Sequence, residues 1–267
     1  MLSLPQLNAM TVSEIKAMIL SAPIKAKYQW VEILKNDSRQ SINKMAMQVE
    51  KQIAVYEKEQ NRLVKIVEFE NQAKRMGYKL IAGLDEAGRG PLIGPVVAAA
   101  VILPEEMDLT GIDDSKKLSE VQREALYDKI VTHAVAYGVG VATHEEIDTI
   151  NILNATKLAM KRAIEAMSMS PDYLLIDAVK LNEISIVQES IIKGDSRSVS
   201  IAAASIIAKV ARDRMLKEMD KKYPMYGLAS HKGYGTDQHY QAIREHGILP
   251  EHRRSFLKGL NYEDNAK

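Results

Sequence analysis

From residue 79 onward, short apolar segments alternate with longer segments whose apolar residues recur with helical spacing. The predicted strands are Leu80–Leu84, Gly94–Leu103, Val135–Thr143, Tyr173–Ile176 and Ser190–Ile192. The predicted helices are Ser119–His133, Asn154–Met167, Val199–Lys222 and Thr236–His246. This alternation is typical of α/β domains, in which helices flank a central sheet. Small residues at 202–205 and at 208 would let another element approach the third of these helices closely.

The first 77 residues have a different pattern. Thr11-Val-Ser-Glu14 fits a capping box that begins a helix, and a second helix fits Ile24–Lys35. No Gly or Pro occurs from Ser41 to Met76, and apolar residues recur there at intervals of three, four or seven. This spacing predicts one helix with an apolar stripe, and Gly77 follows it as a C-cap.

The change of pattern predicts two parts, a helical N-terminal extension over residues 1–77 and an α/β domain with C-terminal helices over residues 78–267. The chain has no cysteine, which excludes disulfides and thiolate metal sites and fits a reducing cytoplasm. No apolar run reaches the roughly eighteen residues of a membrane span, so we expect a cytoplasmic protein without a membrane segment. The net charge is only +1, so any contact with nucleic acid must come from local clusters.

Acidic residues follow three of the predicted strands, as Asp85-Glu86, Asp177 and Asp195. Because strand ends line the ligand crevice of an open α/β sheet, these carboxylates can meet in one place. Like charges at close range raise one another's pKa, and divalent cations remove that cost. Carboxylate oxygens without Cys or His partners suit Mg²⁺ or Mn²⁺. Two such ions about 4 Å apart can stabilise the attacking and leaving oxygens of a phosphodiester.

Spacing alone leaves a second interpretation open, in which these acids are helix caps and loop residues. Adjacent residues of a regular strand also point to opposite faces, so Asp85 and Glu86 share a site only if the chain bends there. The residues from Ala87 to Pro91 include two glycines and a proline, which can supply that bend.

Three loops carry residues that suit contact with nucleic acid. Gly88-Arg89-Gly90 would let the backbone approach a ligand and Arg89 pair with a phosphate, although a plain turn is the alternative. Lys116 lies in the polar loop Asp114–Lys117, where spacing alone favours a solvated turn. Tyr234 is flanked by glycines and could stack on a sugar or base, or could be a partly buried loop residue.

Other polar residues are expected to have no role in chemistry. The histidines at 231, 239, 246 and 252 lack the spacing of a zinc site, and we expect them to be structural. Arg253, Arg254 and Lys258 are expected to be solvated, with phosphate contact as the minority interpretation.

These segments together resemble the bacterial ribonuclease HII family. The resemblance covers about Lys79 to Phe256 and rests on five motifs in the family's order. The motifs are Gly83-Leu84-Asp85-Glu86-Ala87-Gly88-Arg89-Gly90-Pro91, Asp114-Ser115-Lys116-Lys117-Leu118-Ser119, Asp172–Asp177, Lys193-Gly194-Asp195 with the following Ser200–Ser205, and His231–Thr236.

The resemblance implies a ribonuclease H-like α/β fold and a metal-dependent endoribonuclease. It implies Mg²⁺ or Mn²⁺ as cofactor, with the ligands Asp85, Glu86, Asp177 and Asp195. It also implies that the junction between a ribonucleotide and the following deoxynucleotide is recognised by Gly88, Arg89, Gly90 and Tyr234, with Lys116 as a phosphate contact. The expected substrates are RNA/DNA hybrids and duplex DNA that contains ribonucleotides, and we expect the protein to act as a monomer. Cleavage is expected 5′ of the ribonucleotide, leaving 3′-hydroxyl and 5′-phosphate ends.

Three other functions remain to be compared with this one. A ribonuclease HIII-type enzyme has a similar fold, but the intact Gly88-Arg89-Gly90 favours HII. A non-catalytic module that binds hybrids would not need all four carboxylates. A phosphohydrolase of small molecules would not need the loop around Tyr234.

Overall fold

The structure is a computed structural model that describes residues 4–258. The chain forms two compact units, the first ending at Lys65 and the second beginning at Ile66. The division that the sequence predicts at residue 77 stays a prediction. Among the described helices, none is long and apolar enough to cross a membrane.

The first unit is helical. Its helices are α1 (Leu4–Ala9), α2 (Val12–Ser21), α3 (Ile24–Lys35) and α4 (Gln40–Ile66). The predicted capping box is confirmed, because the Thr11 side chain accepts from the backbone N–H of Glu14 while the Glu14 side chain accepts from the Thr11 backbone. The unit buries an apolar cluster of its own, formed by Leu7, Ile15, Ile19, Val31, Leu34, Ile42, Ala46 and Val49.

The prediction of a single helix over residues 41–76 is wrong, because the structure has two helices there. A separate short helix, α5 (Glu68–Arg75), follows α4, and Val67 lies between them. Helix α5 belongs to the second unit, where Ala73 packs with Ile81 and Tyr173. Gly77 follows the end of α5 with a φ of 98°, a conformation that glycine adopts without strain.

A mixed sheet forms the centre of the second unit. Within the described residues its strands are β1 (Ile81–Ala87), β2 (Val96–Ile102), β3 (Ala136–Ala142), β4 (Tyr173–Asp177) and β5 (Val187–Ile191). Their order in the sheet is β3-β2-β1-β4-β5. Strand β2 pairs antiparallel with β1 and β3, whereas β4 pairs parallel with β1 and β5. Strand β1 is longer than predicted and includes both Asp85 and Glu86.

Helices cover both faces of this sheet. Those of the second unit after β2 are α6 (Glu120–His133), α7 (His144–Glu165), α8 (Val199–Lys222), α9 (Leu228–His231) and α10 (Asp237–His246). Helix α7 packs through Ala155, Ala159 and Ala163 against β1 and β2 residues such as Ala82 and Ala98. Helix α8 covers the opposite face, where its Ile201 packs with residues of β1 and β4.

Helix α7 begins earlier than predicted, at His144. Thr143 and Glu146 form a capping box, which starts the helix ahead of the apolar residues that the prediction relied on. Asn151 has a φ of 67° and interrupts the helical conformation, so the strongly periodic part follows a kink.

Helix α8 approaches β1 closely at Gly83. A Cβ atom added there would lie 2.0 Å from the carbonyl carbon of Ser200, so only glycine fits. The close approach thus lies at Ser200 and Ile201, just before the small residues at 202–205 that were expected to allow it. It places the N-terminus of α8 beside the end of β1 that carries Asp85.

Candidate functional site

Three carboxylates meet at the ends of β1 and β4. Each of Asp85, Asp177 and Asp195 offers an oxygen, and these atoms all lie within 4.8 Å of one another. The parallel register pairs Leu84 with Ile176, so the next residues along the two strands are Asp85 and Asp177. Asp195 lies in a 3₁₀ turn, Gly194–Ser196, just before α8. The predicted convergence of strand ends therefore occurs at these three residues.

Burial and mutual repulsion disfavour the charged forms of this cluster. Burial raises the pKa of Asp85 well above its usual range, and the charges of Glu86 and Asp177 raise it further. Burial also raises the pKa of Asp177, and so does the charge of Asp195, while the backbone N–H of Gly194 donates to Asp177 and opposes the shift. A cation at this place would relieve the repulsion.

Glu86 lies at the edge of the cluster. Its Oε1 accepts from Arg89 at 3.2 Å, and its buried Oε2 has no hydrogen-bond partner among residues 4–258. Burial raises the pKa of Glu86, the charge of Arg89 lowers it, and the charge of Asp177 raises it. Strand β1 continues through Ala87 without the expected bend at Glu86, and Glu86 is not one of the three residues with closely grouped oxygens. Its role as a ligand stays a prediction.

The donor set fits a hard divalent cation. The grouped atoms are all carboxylate oxygens, which Mg²⁺ and Mn²⁺ prefer, and the unpartnered oxygen of Glu86 adds one more acceptor nearby. These residues therefore fit the metal that the sequence predicts.

Lys116 contacts the cluster directly. Its Nζ lies 2.8 Å from Oδ2 of Asp195, and although burial opposes its charge, the bond to Asp195 raises the pKa of Lys116. Asp114 caps the turn that carries Lys116, and the N–H of Ser115 donates to Ser205 on α8. The Lys116 side chain is 75% exposed, so a ligand can reach its ammonium group.

The glycine loop, residues 88–95, is held from beneath by a buried arginine, Arg253. Arg253 was expected to be solvated, but it is fully buried. Its guanidinium donates to the backbone carbonyls of Gly88, Arg89, Pro91 and Gly94. The prediction is wrong because these carbonyls replace water around the charge. Burial lowers the pKa of Arg253 to about 9, which still leaves it charged at neutral pH.

A second buried arginine joins this loop to the loop of Tyr234. Arg212 on α8 donates to the carbonyls of Ile93, Pro95 and Lys232. The N–H of Leu92 also donates to the carbonyl of Gly233. The sequence patterns did not single out Arg212. The available signal was its helical spacing: Arg212 lies four residues after Ala208 and four before Leu216, on the buried face of α8.

Tyr234 lies beside the glycine loop with its ring half-exposed. A Cβ added at Gly90 would be 3.4 Å from Cε1 of Tyr234, so ring and loop form one surface. The backbone N–H groups of Arg89 and Gly90 have no protein acceptor within the described part of the chain. Arg89 itself is exposed and joins this surface to the carboxylate cluster through its bond to Glu86.

Two of the histidines that were expected to be structural lie in the interior of the protein. His239 and His252 are buried and bonded to one another, with Nε2 atoms 3.1 Å apart. Among the described residues, no histidine belongs to the possible metal cluster.

Comparison with known proteins agrees with this geometry. Residues 82–259 match the family model described as ribonuclease HII, and residues 11–74 match the one described as ribonuclease HII N-terminal domain. Ribonuclease HII of Acetivibrio thermocellus is 53% identical over 251 residues, which cover 94% of this chain and 98% of that protein. Ribonuclease HII of Clostridioides difficile is 48% identical, with coverage of 94% and 98%.

A solved structure shows the same fold. The ribonuclease H2 of Pyrococcus horikoshii matches with a TM-score of 0.57 at 28% identity, over 66% of this chain and 93% of that one. The expected ribonuclease H-like α/β fold is therefore confirmed. With a family model that spans most of the second unit, the chain belongs to the ribonuclease HII family of metal-dependent endoribonucleases.

Proposed function

We propose that this enzyme hydrolyses the RNA strand of RNA/DNA hybrids and also cuts on the 5′ side of single ribonucleotides in duplex DNA. The products would carry 3′-hydroxyl and 5′-phosphate ends. The observation that carries the proposal is one continuous surface in which the carboxylate cluster, Arg89, Gly90 and Tyr234 follow one another. Such a surface offers a metal site next to a sugar-recognition site.

Asp85, Glu86, Asp177 and Asp195 would hold Mg²⁺ or Mn²⁺. Two divalent ions bound by these residues would supply an activated water and charge stabilisation at the phosphodiester. The protein contributes rigid placement of the oxygens, since Asp177 is fixed by the N–H of Gly194 and Asp195 by the turn before α8.

Lys116 and Arg89 would contact phosphates beside the scissile bond. Each now pairs with a cluster carboxylate, Lys116 with Asp195 and Arg89 with Glu86. With those carboxylates neutralised, the two exposed side chains would be free to pair with the substrate backbone.

The free N–H groups of Arg89 and Gly90 would bind the 2′-hydroxyl, which distinguishes a ribonucleotide from a deoxynucleotide. Tyr234 would pack against the following deoxyribose, where a second 2′-hydroxyl would crowd the ring. This arrangement recognises a junction and accepts a lone ribonucleotide.

The test uses a DNA duplex with one labelled ribonucleotide and a long RNA/DNA hybrid. We expect cleavage of both with Mg²⁺ or Mn²⁺, no cleavage in EDTA, and a cut 5′ of the lone ribonucleotide. Mapping the ends by gel mobility and by ligation identifies the 3′-hydroxyl and 5′-phosphate. Efficient cleavage of the hybrid with none at the lone ribonucleotide would reject the proposal and favour an HIII-type specificity.

A further inference from the structure

Three histidines lie beneath the Tyr234 loop, outside the metal cluster. His239 on α10 and His252 in the C-terminal segment are fully buried, and His231 stacks on His239 with ring centroids 4.6 Å apart. No step of the proposed reaction uses any of them. The hydrogen bonds of His252 and His239, however, run in one direction and end at Tyr234.

The bonds to backbone groups fix the tautomers of the two buried rings. Nδ1 of His252 accepts from the N–H of Leu249 at 2.8 Å, so its proton lies on Nε2. That Nε2–H points at Nε2 of His239, 3.1 Å away, which must therefore be the acceptor. The proton of neutral His239 is then on Nδ1, which donates to the carbonyl of Tyr234 at 3.0 Å.

The rings stay neutral at physiological pH. Burial lowers the pKa of His239 to about 4 and that of His252 to about 3. A proton added to either ring would turn its acceptor nitrogen into a second donor, and this would break the series of hydrogen bonds.

The last hydrogen bond of this series, at the Tyr234 carbonyl, lies where it can control the direction of the Tyr234 ring. The carbonyl of Tyr234 also accepts from the N–H of Thr236 at 2.8 Å, and its own N–H donates to His231. These bonds hold the residue by its backbone, while the ring extends into solvent beside Gly90. Because the ring is half-exposed, its direction depends on the backbone that carries it.

We propose that His252 and His239 form a hydrogen-bond chain that positions Tyr234 against Gly90 and so sets the preference for a ribonucleotide–deoxynucleotide junction. Both are positioning residues, because they act through Tyr234 and touch no reacting atom. The inference rests on the proposed function, in which Tyr234 contacts the deoxyribose at the junction.

The test compares two substitutions of His239 that each keep one of its two bonds. His239→Asn places an amide nitrogen near the position of Nδ1 and keeps the donation to Tyr234, but it loses the contact with His252. His239→Gln reaches His252 and loses the donation to Tyr234. Both disturb the same buried site, so a merely structural role predicts similar effects of the two.

The measured quantity is the ratio of kcat/KM on the single-ribonucleotide duplex to kcat/KM on the long hybrid. We expect His239→Gln to lower this ratio about tenfold, since a displacement near 1 Å is enough for such a loss. His239→Asn should keep the ratio within about threefold of wild type. Tyr234→Ala, measured in parallel, should lower it at least as much as His239→Gln.

The outcomes separate the two proposals. Equal ratios for the Asn and Gln variants, with a lowered ratio for Tyr234→Ala, would overturn the hydrogen-bond chain and leave the proposed function standing. An unchanged ratio for Tyr234→Ala would overturn both. Nitrogen-15 NMR of the wild-type protein gives a test that needs no variant: we expect the Nδ1–H tautomer for His239 and the Nε2–H tautomer for His252, and the reverse assignment would refute the inference.

Discussion

Nη2 of Arg253 donates a 2.6 Å hydrogen bond to the carbonyl oxygen of Gly88. The same guanidinium bonds three further carbonyls of the glycine loop, and the whole side chain is buried. A planar group with five donors can satisfy several carbonyls at fixed angles, which the single ammonium of a lysine cannot do. The C-terminal segment thus shapes the loop that lies between the carboxylate cluster and Tyr234.

We expect Arg253→Lys to lower both stability and cleavage. A lysine leaves some of the four carbonyls unpaired in a buried site, which should reduce the free energy of unfolding by more than about 2 kcal/mol. The adjacent Arg254→Lys is the matched control, because Arg254 is exposed and its substitution should change stability by less than about 0.5 kcal/mol. Urea denaturation of both variants checks this, and equal midpoints would contradict the role of Arg253.

Asp85→Asn should abolish most activity while making the metal-free protein more stable. The substitution removes a buried charge that Glu86 and Asp177 repel. It should also reduce kcat by at least about a hundredfold, since a proposed metal ligand is lost. Denaturation in EDTA and cleavage in Mg²⁺ measure the two effects, with the exposed Asp237→Asn as control.

The pH dependence of this stability difference follows from the direction of the Asp85 shift. A folded pKa above the unfolded value means that the folded protein binds the proton more tightly, so wild type gains stability as pH falls. The advantage of Asp85→Asn in EDTA should therefore be largest near neutral pH and shrink on acidification. An advantage that grows at low pH would contradict a raised pKa.

The sequence predicted the carboxylates of the site, but it did not predict the buried arginines that hold the neighbouring loops. Asp85, Asp177 and Asp195 could be found because strand ends in an α/β sheet converge, a rule that needs only the strand boundaries. Arg212 and Arg253 could not, since their burial depends on carbonyls from segments far away in sequence. The spacing of apolar residues cannot reveal such partners, because every residue type has a backbone carbonyl.

The helix boundaries show the same limit. The ends of α3 and α8 were predicted well because apolar spacing and polar flanks coincide there. The break at Val67 has no Gly or Pro to mark it, and it becomes understandable only from the packing of α5. Within the second unit, that helix packs Ala73 with Ile81 and Tyr173 and bonds Glu70 to Ser200, which a stripe of apolar residues in one long helix does not reveal.

His252→Gln should weaken the dependence of stability on acid pH. The pKa of His252 falls from an ordinary value of about 6.5 to about 3 on folding, so the unfolded chain binds protons more readily below that ordinary value. The neutral His252 ring makes its full contribution to the free energy of unfolding above pH 6.5. This contribution is lost as the pH falls, by at most about 1.4 kcal/mol per pH unit for one histidine. Unfolding free energies measured between pH 7 and 5 should therefore fall less steeply in the variant, and an equal slope would contradict the lowered pKa.

Two truncations should show where the separable N-terminal part ends. A chain that begins at Ile66 keeps Glu70, whose Oε1 accepts from Ser198 and from the N–H of Ser200. A chain that begins at Lys79 loses these bonds, and its free energy of unfolding should be lower by more than about 2 kcal/mol. Cleavage and thermal denaturation compare the two. Equal stability would favour the division that the sequence predicts at residue 77.

Gly88 and Gly90 should respond differently to the same substitution. Gly88 has a φ of 94°, and an added Cβ would lie 2.0 Å from Nε of Arg212. Gly88→Ala should therefore destabilise the fold by about 2 kcal/mol or more, through strain and overpacking. Gly90 has open space except for Tyr234, where the added atom would make contact at 3.4 Å.

Gly90→Ala should therefore leave the melting temperature nearly unchanged and act on the substrate instead. The methyl group would fill the space between the Tyr234 ring and the loop, where the sugar is proposed to bind. We expect kcat/KM on the single-ribonucleotide duplex to fall about tenfold, the size of effect that a small misplacement of substrate produces. Activity on both substrates and a melting curve for each variant complete the test. A stable Gly90→Ala enzyme with unaltered cleavage of the single-ribonucleotide duplex would show that the sugar does not bind beside Gly90.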